Sequence, residues 1–498
     1  MKKMGNGKWK KSKVKSSEPN KWSLRNSNYI IIWWNEKKAL SLQNRMRKVL
    51  DINQWIKEHR HDDVNELALH AAHDPDMDMR AALVQIRGWQ IAEKKLPLWA
   101  QTEGIVFPEH LPLEQCSSQL TAEYKASLVR ANDNGNNHLH SMTDLTGGFG
   151  VDAVMMGRWF QHLTYVEQRA DLCDLARHNF PLLGLKDFEV VHADCTDMLN
   201  HLPHQNLVLI DPARRDANGR KTVAINDCTP DVCALNQQLL AVADVVMIKL
   251  SPMLDIASAE RQLEGVKEIH VVSVGGECKE ILIVLQGLTM GDPFRQAQGV
   301  PIRQAQGVEQ FTAPVIHCVN ITSDGIPSTG SGCTHSTSSE CTHSTGSECT
   351  HSTDSECTQR FCFTRAQEQE AQCMYTNEVD RYLYEPNASL MKACPFRLLA
   401  QHYQLEKLHP NSHLYTSPNR IEDFPGRRFR VNDVLPVNKQ TIKQISQLRQ
   451  ANISVRNFPA SVAELRRRFR LADGGSAYLV ATTLADGRKV VLVMERDV

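Results

Sequence analysis

Four acids recur at the ends of successive apolar runs in the middle of the chain: Asp144 in "MTDLTGGFGVD", Glu167 in "YVEQ", Asp194 in "HADCTD" and Asp211 in "LIDPARRD". The first acid leads into a turn containing Gly147, Gly148 and Gly150. There the backbone can bend tightly and approach a ligand with no Cβ in the way. Two phosphate-binding signatures are missing from that turn: the dinucleotide pattern G-x-G-x-x-G and the G-K-[ST] of phosphate loops. A pyrophosphate is unwelcome among carboxylates. A ligand rich in hydrogen-bond donors, or carrying a positive charge, is not.

The elements that must position these acids follow from the pattern. Between 141 and 290, apolar runs ("MTDLT", "LTYVE", "EVVHAD", "NLVLIDP", "DVVMIKLSP") alternate with amphipathic stretches. This predicts βαβ units and a mostly parallel sheet. Two further runs, "EIHVVSV" and "EILIVLQ", are separated only by "GGECK", too little for a crossover helix, so they should pair antiparallel. Ligands of such sheets bind outside the carboxyl ends of the strands, where the four acids fall. S-adenosylmethionine offers the matching donors: a ribose diol, an adenine amine and a cationic methionine. Glu167, with Gln168 beside it, is expected to accept both ribose hydroxyls, and Asp194 to accept from the exocyclic amine. Cys195 is expected to be a packed thiol beside the adenine pocket. The glycine turn leaves room for the methionine portion, and Asp144 supports the loop. Thr146 and Asp152 complete the expected cofactor-binding set. The alternatives are a methyltransferase of proteins or small molecules, a non-catalytic S-adenosylmethionine-binding RNA-binding protein, and a dehydrogenase.

With these residues in view, positions 144–285 resemble a class I S-adenosylmethionine-dependent methyltransferase. "DLTGGFGVD" resembles its first motif, "YVEQ" the second, "HADCTD" the third and "LIDPARRD" the fourth. From about 46 to 498, apart from a repeat insertion, the chain is similar to a bacterial family. That family has an N-terminal helical segment, this catalytic domain, a small ferredoxin-like segment and a THUMP-like C-terminal domain. "SQLTAEYKASLVR", "DCTPDV", "KLSPMLDI", "ECKEILI", "YLYEPNASLMKA" and "HPNSHLYTS" add to the resemblance. It implies an α/β fold: a Rossmann-like class I methyltransferase sheet with small α+β domains at the C-terminus. It also implies RNA as partner, because THUMP domains accompany enzymes that modify tRNA.

The fourth motif bears on the chemistry. Amine methyltransferases commonly place an acid or Asn before Pro-Pro and an aromatic. Here the string is Asp211-Pro212-Ala213-Arg214. Asp211 and the Pro212 carbonyl can accept from a target amine. Arg214 can pair with a phosphate or lie flat on a base. "DPAR" also resembles RNA 5-methyluridine enzymes, but those need a cysteine near the end of the following strand. That strand here reads "IKLSPM", with Lys249 and Ser251. Direct transfer by proximity, with Asp211 orienting an amine, is the favoured chemistry. Blander readings stand beside it. Asp211 could cap a turn, Lys249 could pair with Asp211 or touch substrate, and Lys125 could be a helix-face lysine.

The rest of the chain frames this block. Residues 1–45 read as a basic, disordered lead-in, with seven lysines and no acid among the first fifteen. Residues 46–140 read as a helical domain, with Val64, Leu67, Ala68 and Ala71 at helical spacing, then Leu83, Ile86 and Trp89. Residues 141–290 form the methyltransferase domain. Residues 291–360 carry tandem octapeptides ("RQAQGV", "CTHSTSSE") too poor in large apolar residues to bury a core. Residues 361–430 are the ferredoxin-like segment, and 431–498 the THUMP-like domain with a hairpin at Asp486-Gly487.

Of the 498 residues, Lys and Arg number 57, and so do Asp and Glu, so the net charge selects no partner. Within 427–498, however, fourteen Lys and Arg face six Asp and Glu, a net of +8. That is an electrostatic reason of its own to expect RNA. No run approaches the roughly 20 apolar residues of a membrane span. The 14 cysteines show no disulfide framework, which fits a reducing cytoplasm. No metal is assigned: the histidines near Asp74 and in the octapeptides have blander readings.

Overall fold

A computed structural model describes residues 52–70, 78–131, 139–213, 224–287, 313–322 and 358–497. The octapeptides, His73, Asp74, Arg214 and the lead-in lie outside them. The chain divides into two compact units, through Lys94 and from Lys95 onward.

In the first unit, helices form at 52–59 and at Val64–His70, and a third begins at Met79. Asp63 caps the second by accepting from Asn65 N at 2.8 Å and Glu66 N at 3.0 Å. The Arg60 guanidinium lies 4.5 Å over the Trp89 ring.

The second unit is built on a nine-stranded sheet. Five strands are parallel in the order β3-β2-β1-β4-β5: β1 (Leu139–Asp144), β2 (Phe160–Glu167), β3 (Phe188–His192), β4 (Gln205–Ile210) and β5 (Ala243–Leu250). Helices Val151–Gly157, Ala170–Leu182, Cys195–Leu199 and Val232–Val242 make the crossovers. Strands covered on both faces must be apolar almost throughout, hence "LVLI" and "VVMIKL". β6 (Val266–Val274) and β7 (Glu277–Gln286) form an antiparallel hairpin, as their two-residue separation requires, and β7 also pairs antiparallel with β5. Gly275 and Gly276 turn it with φ of 59° and 84°.

One expectation needs correction. Residues 291–360 read as an octapeptide-repeat insertion, yet the stretch between the two sets of repeats, Val315–Ile321, forms strand β8, parallel to β6. β9 (Thr358–Phe363) then pairs antiparallel with β8. The reason is local. "APVIHCVNI" between the two sets of repeats alternates apolar residues, and Ile316, Cys318 and Val319 are buried.

A second, seven-stranded sheet has the order β11-β12-β10-β13-β16-β15-β14. Its strands are β10 (Tyr382–Pro386), β11 (Glu406–Lys407), β12 (Tyr415–Ser417), β13 (Gly426–Pro436), β14 (Asn452–Arg456), β15 (Ala477–Thr483) and β16 (Lys489–Arg496). The 388–404 helix breaks in two, at Ala388–Ala393 and Phe396–His402, around left-handed Cys394 and Pro395. Gly487, with φ of 85°, turns the β15–β16 hairpin. One hydrophobic core joins the two sheets: Val246, Ile269 and Ile316 belong to the same cluster as Tyr384, Leu390, Leu399 and Phe424. Lys392 Nζ adds a 2.8 Å bond to the Leu254 carbonyl. The small segment is therefore set rigidly against the large sheet.

Candidate active site

β1 and β4 are neighbours whose crossovers leave in opposite directions, so a crevice opens beyond their carboxyl ends. Thr146 spans it. Its Oγ1 accepts from Asp211 N at 2.6 Å, while its own N donates to Asp144 Oδ1 at 3.0 Å. Asp144 is 3% exposed, and burial pushes its carboxyl up to about 8.

The glycine turn is held from below. Gly147 N donates to the Val166 carbonyl at 2.9 Å, and Tyr165 Oη donates to the Gly148 carbonyl at 2.5 Å. A Cβ on Gly147 would lie 2.1 Å from the Tyr165 ring, and one on Gly150 would lie 2.5 Å from Phe180. Both positions need glycine because aromatic rings fill the space. Gly148 differs: a Cβ there would meet only the Thr146 carbonyl oxygen, at 3.9 Å, although its φ is +57°. Its amide donates to Glu167 Oε2 at 2.9 Å, and Arg169 N donates to Oε1 at 2.8 Å. Glu167 is thus a fixed carboxylate at the rim of an open cradle.

The remaining expected residues lie along the same edge. Asp194 caps helix Cys195–Leu199, accepting from Thr196 N at 2.8 Å and Thr196 Oγ1 at 2.5 Å, and the hydroxyl holds its carboxyl below the usual range. Burial pushes the Cys195 thiol up to about 11, so it stays protonated at neutral pH. Gln168 is exposed. Its carbonyl accepts from His192 Nε2 at 3.0 Å. Pro212 is buried, and Ala213 bridges to Thr229, its N 2.7 Å from that carbonyl. Arg214 is outside the described residues.

Beneath Asp211 lies a charge network of which the sequence disclosed only the pairing of Lys249 with Asp211. Lys249 Nζ stands 2.5 Å from Asp211 Oδ2 and 3.7 Å from Asp152 Oδ2. Burial would lower Lys249, but Asp211, Asp152 and Glu280 outweigh it and hold the amine well above its usual range. Asp152 takes a 2.7 Å bond from Ser117 Oγ. Lys125, fully buried, donates to Glu280 Oε1 at 2.6 Å and to Ser117 Oγ at 3.2 Å. Its Nζ also lies 3.2 Å from Asp152 Oδ1, an ion-pair contact rather than an aligned hydrogen bond. Burial pushes Asp152 up, yet the two lysines hold it below the ordinary carboxylate range, whereas Glu280 is left raised by its burial. The helix-face reading of Lys125 is corrected. Helix Gln119–Ala131 delivers it into the interior, and nothing in a lone lysine signals that. Ser117 and Glu280 were missed for the same reason.

The parallel order β3-β2-β1-β4-β5, with β7 antiparallel beside β5, is that of the class I S-adenosylmethionine-dependent methyltransferase fold. Its cofactor, S-adenosylmethionine, matches these acceptors: Glu167 and Asp194 for hydroxyl and amine donors, and the space over Gly148 for the remainder. Comparison with known proteins agrees. The structure is similar to that of the "putative methyltransferase" of Porphyromonas gingivalis W83: 31% identity over 91% of this chain and 99% of that one, with a TM-score of 0.69. The chain belongs to the family of that methyltransferase.

Residues 382–425 match the pattern of a ferredoxin-like domain, and 426–496 that of a THUMP-like domain. More distant similarities include a SAM-dependent methyltransferase of Agrobacterium tumefaciens (14% identity, 34% of this chain, 61% of that one, TM-score 0.27). Another is a "putative RNA methyltransferase" of Pyrococcus horikoshii (15%, 40%, 98%, 0.28). No curated protein matches. Among the described residues no helix is long and apolar enough to cross a membrane.

Proposed function

We propose that the protein methylates an amine nitrogen of an RNA base, in tRNA or rRNA, in the cytoplasm. One observation carries this reading. The core that holds Asp211's sheet continues into the ferredoxin-like segment, and that segment's β10 pairs with β13, the first strand of the basic THUMP-like domain. RNA held by one would be presented at a fixed geometry to the other. Lys439, Lys443, Arg467 and Arg468 are exposed on two helices of that domain, and Arg470 is exposed just past the end of the second. Phe469, between the arginines, is only 1% exposed and serves the core, so the helix contributes charge rather than base stacking.

S-adenosylmethionine, when bound, supplies a methyl group on a sulfonium. Glu167, Gln168, Asp194 and the glycine turn would hold it. Asp211 and the Pro212 carbonyl would accept from the amine and turn its lone pair toward the methyl. Lys249 fixes Asp211, and Arg214 would meet a phosphate or a base face.

The test is transfer of labelled methyl to RNA from cells lacking the gene, followed by nucleoside mass spectrometry. One methylated nucleoside is expected, lost in Asp211→Ala. Label entering protein or small molecules, with RNA unlabelled, would overturn the proposal.

A further inference from the structure

Far along the same sheet, three potential metal ligands meet across two strands. His270 of β6 pairs in register with His317 of β8, and His317 with Cys362 of β9. Glu268 lies two residues before His270, on the same face of β6. The two imidazoles are stacked, with centroids 4.4 Å apart and planes 10° from parallel. Their outer nitrogens are already occupied. His270 Nδ1 is 2.7 Å from Tyr124 Oη, and His317 Nδ1 is 3.1 Å from Cys362 Sγ.

Their Nε2 atoms both turn toward Glu268 Oε2, at 3.1 Å and 3.7 Å. His317 Nε2 is buried and has no hydrogen-bond partner. A protonated nitrogen there would lack an acceptor within reach, and a bare one would point its lone pair toward a carboxylate. A cation among the three resolves both conflicts. One ligand atom from each residue lies within 4.8 Å of the others. Tetrahedral bonds of about 2.0–2.1 Å would place ligand atoms roughly 3.3 Å apart, between the two observed distances. Engaged Nδ1 atoms are the arrangement that orients metal-bound imidazoles, and the two rings must tilt out of their near-parallel stack for both in-plane Nε2 lone pairs to meet one ion.

We propose that Glu268, His270 and His317 bind a divalent cation of the zinc class, with Tyr124 and Cys362 orienting the two imidazoles. The donors, two imidazoles and a carboxylate, suit zinc. The ion would fasten β8 to the hairpin, closing the long connection that leaves β7. The sequence gives no sign of the site, because 46 residues separate His270 from His317.

The full chain would be stripped with a chelator and titrated with zinc chloride, and separately with cobalt chloride. Zinc is expected to raise the melting temperature by several degrees at saturation. The response should be lost in His317→Ala and weakened at least tenfold in Glu268→Gln, which keeps the side chain's shape. Cobalt should give the visible bands of a four-coordinate site dominated by nitrogen and oxygen donors. The octapeptides also carry Cys and His, but metal held there would survive His317→Ala and show intense thiolate charge-transfer bands. Absence of binding, or binding unchanged in both variants, would overturn the proposal. If His317→Ala misfolds, Glu268→Gln and the cobalt spectrum of the unsubstituted chain still decide it.

Discussion

The Lys249 amine bridges two carboxylates of different standing: Asp211, 39% exposed in its side chain, and Asp152, 11% exposed. It therefore ties the rim of the crevice to the buried network beneath. Removing it with Lys249→Met should leave Asp211 without its cation, while Asp152 keeps Lys125 and Ser117, and cost about 1–3 kcal/mol of stability, less than a fully buried pair because Asp211 is partly exposed. Lys249→Arg keeps the charge but not the shape, since a planar fork cannot occupy the place of a point donor. It should fold, bind donor nearly normally and lose methyl transfer by about 100-fold, as a misplaced Asp211 would. Urea denaturation, donor titration and label transfer separate these effects.

The Lys125–Glu280 pair is interior and structural. Lys125→Met alone should destabilise by about 3–5 kcal/mol, leaving Glu280 buried and bare. Adding Glu280→Gln should recover part of that loss, for a coupling of about 1–3 kcal/mol in a double-mutant cycle. Additive losses would show that the two do not interact.

The glycines of the turn should separate cleanly. Gly147→Ala drives a methyl into the Tyr165 ring and should abolish soluble expression or lower the melting temperature sharply. Gly148→Ala has room but a left-handed backbone, so the stability cost should be about 1 kcal/mol. Its methyl would face the cradle, so donor affinity should fall much more than stability.

Asp144 should print a pH dependence on folding. Burial pushes its carboxyl up to about 8 in the folded chain, against roughly 3.9 unfolded. Between those values the folded chain keeps a proton that the unfolded chain has released. The stability tied to that proton is full below about pH 4, declines across the window and is gone above about pH 8. Denaturation midpoints at about pH 6 and about pH 9 should differ more in the unsubstituted chain than in Asp144→Asn.

Much of this was legible beforehand, and the reasons are physical. Continuous apolar runs with acids at their ends announce a doubly covered parallel sheet and its ligand edge. "GGECK" announced a hairpin, and Asp486-Gly487 another. What escaped was long-range and chemically quiet. Lys125 and Glu280 are ordinary charged residues until helix and strand enclose them. Val315–Ile321 was hidden because repeats on both sides dominate the local composition. His270 and His317 are lone histidines until β6 and β8 align.

In the proposed function, the crevice beside Glu167 and Gly148 takes S-adenosylmethionine. Isothermal titration of the full chain with that compound, repeated with Glu167→Ala, tests it most directly. One site per chain is expected, weakened at least tenfold by the substitution. No heat with S-adenosylmethionine, alongside saturable binding of NADH, would contradict it.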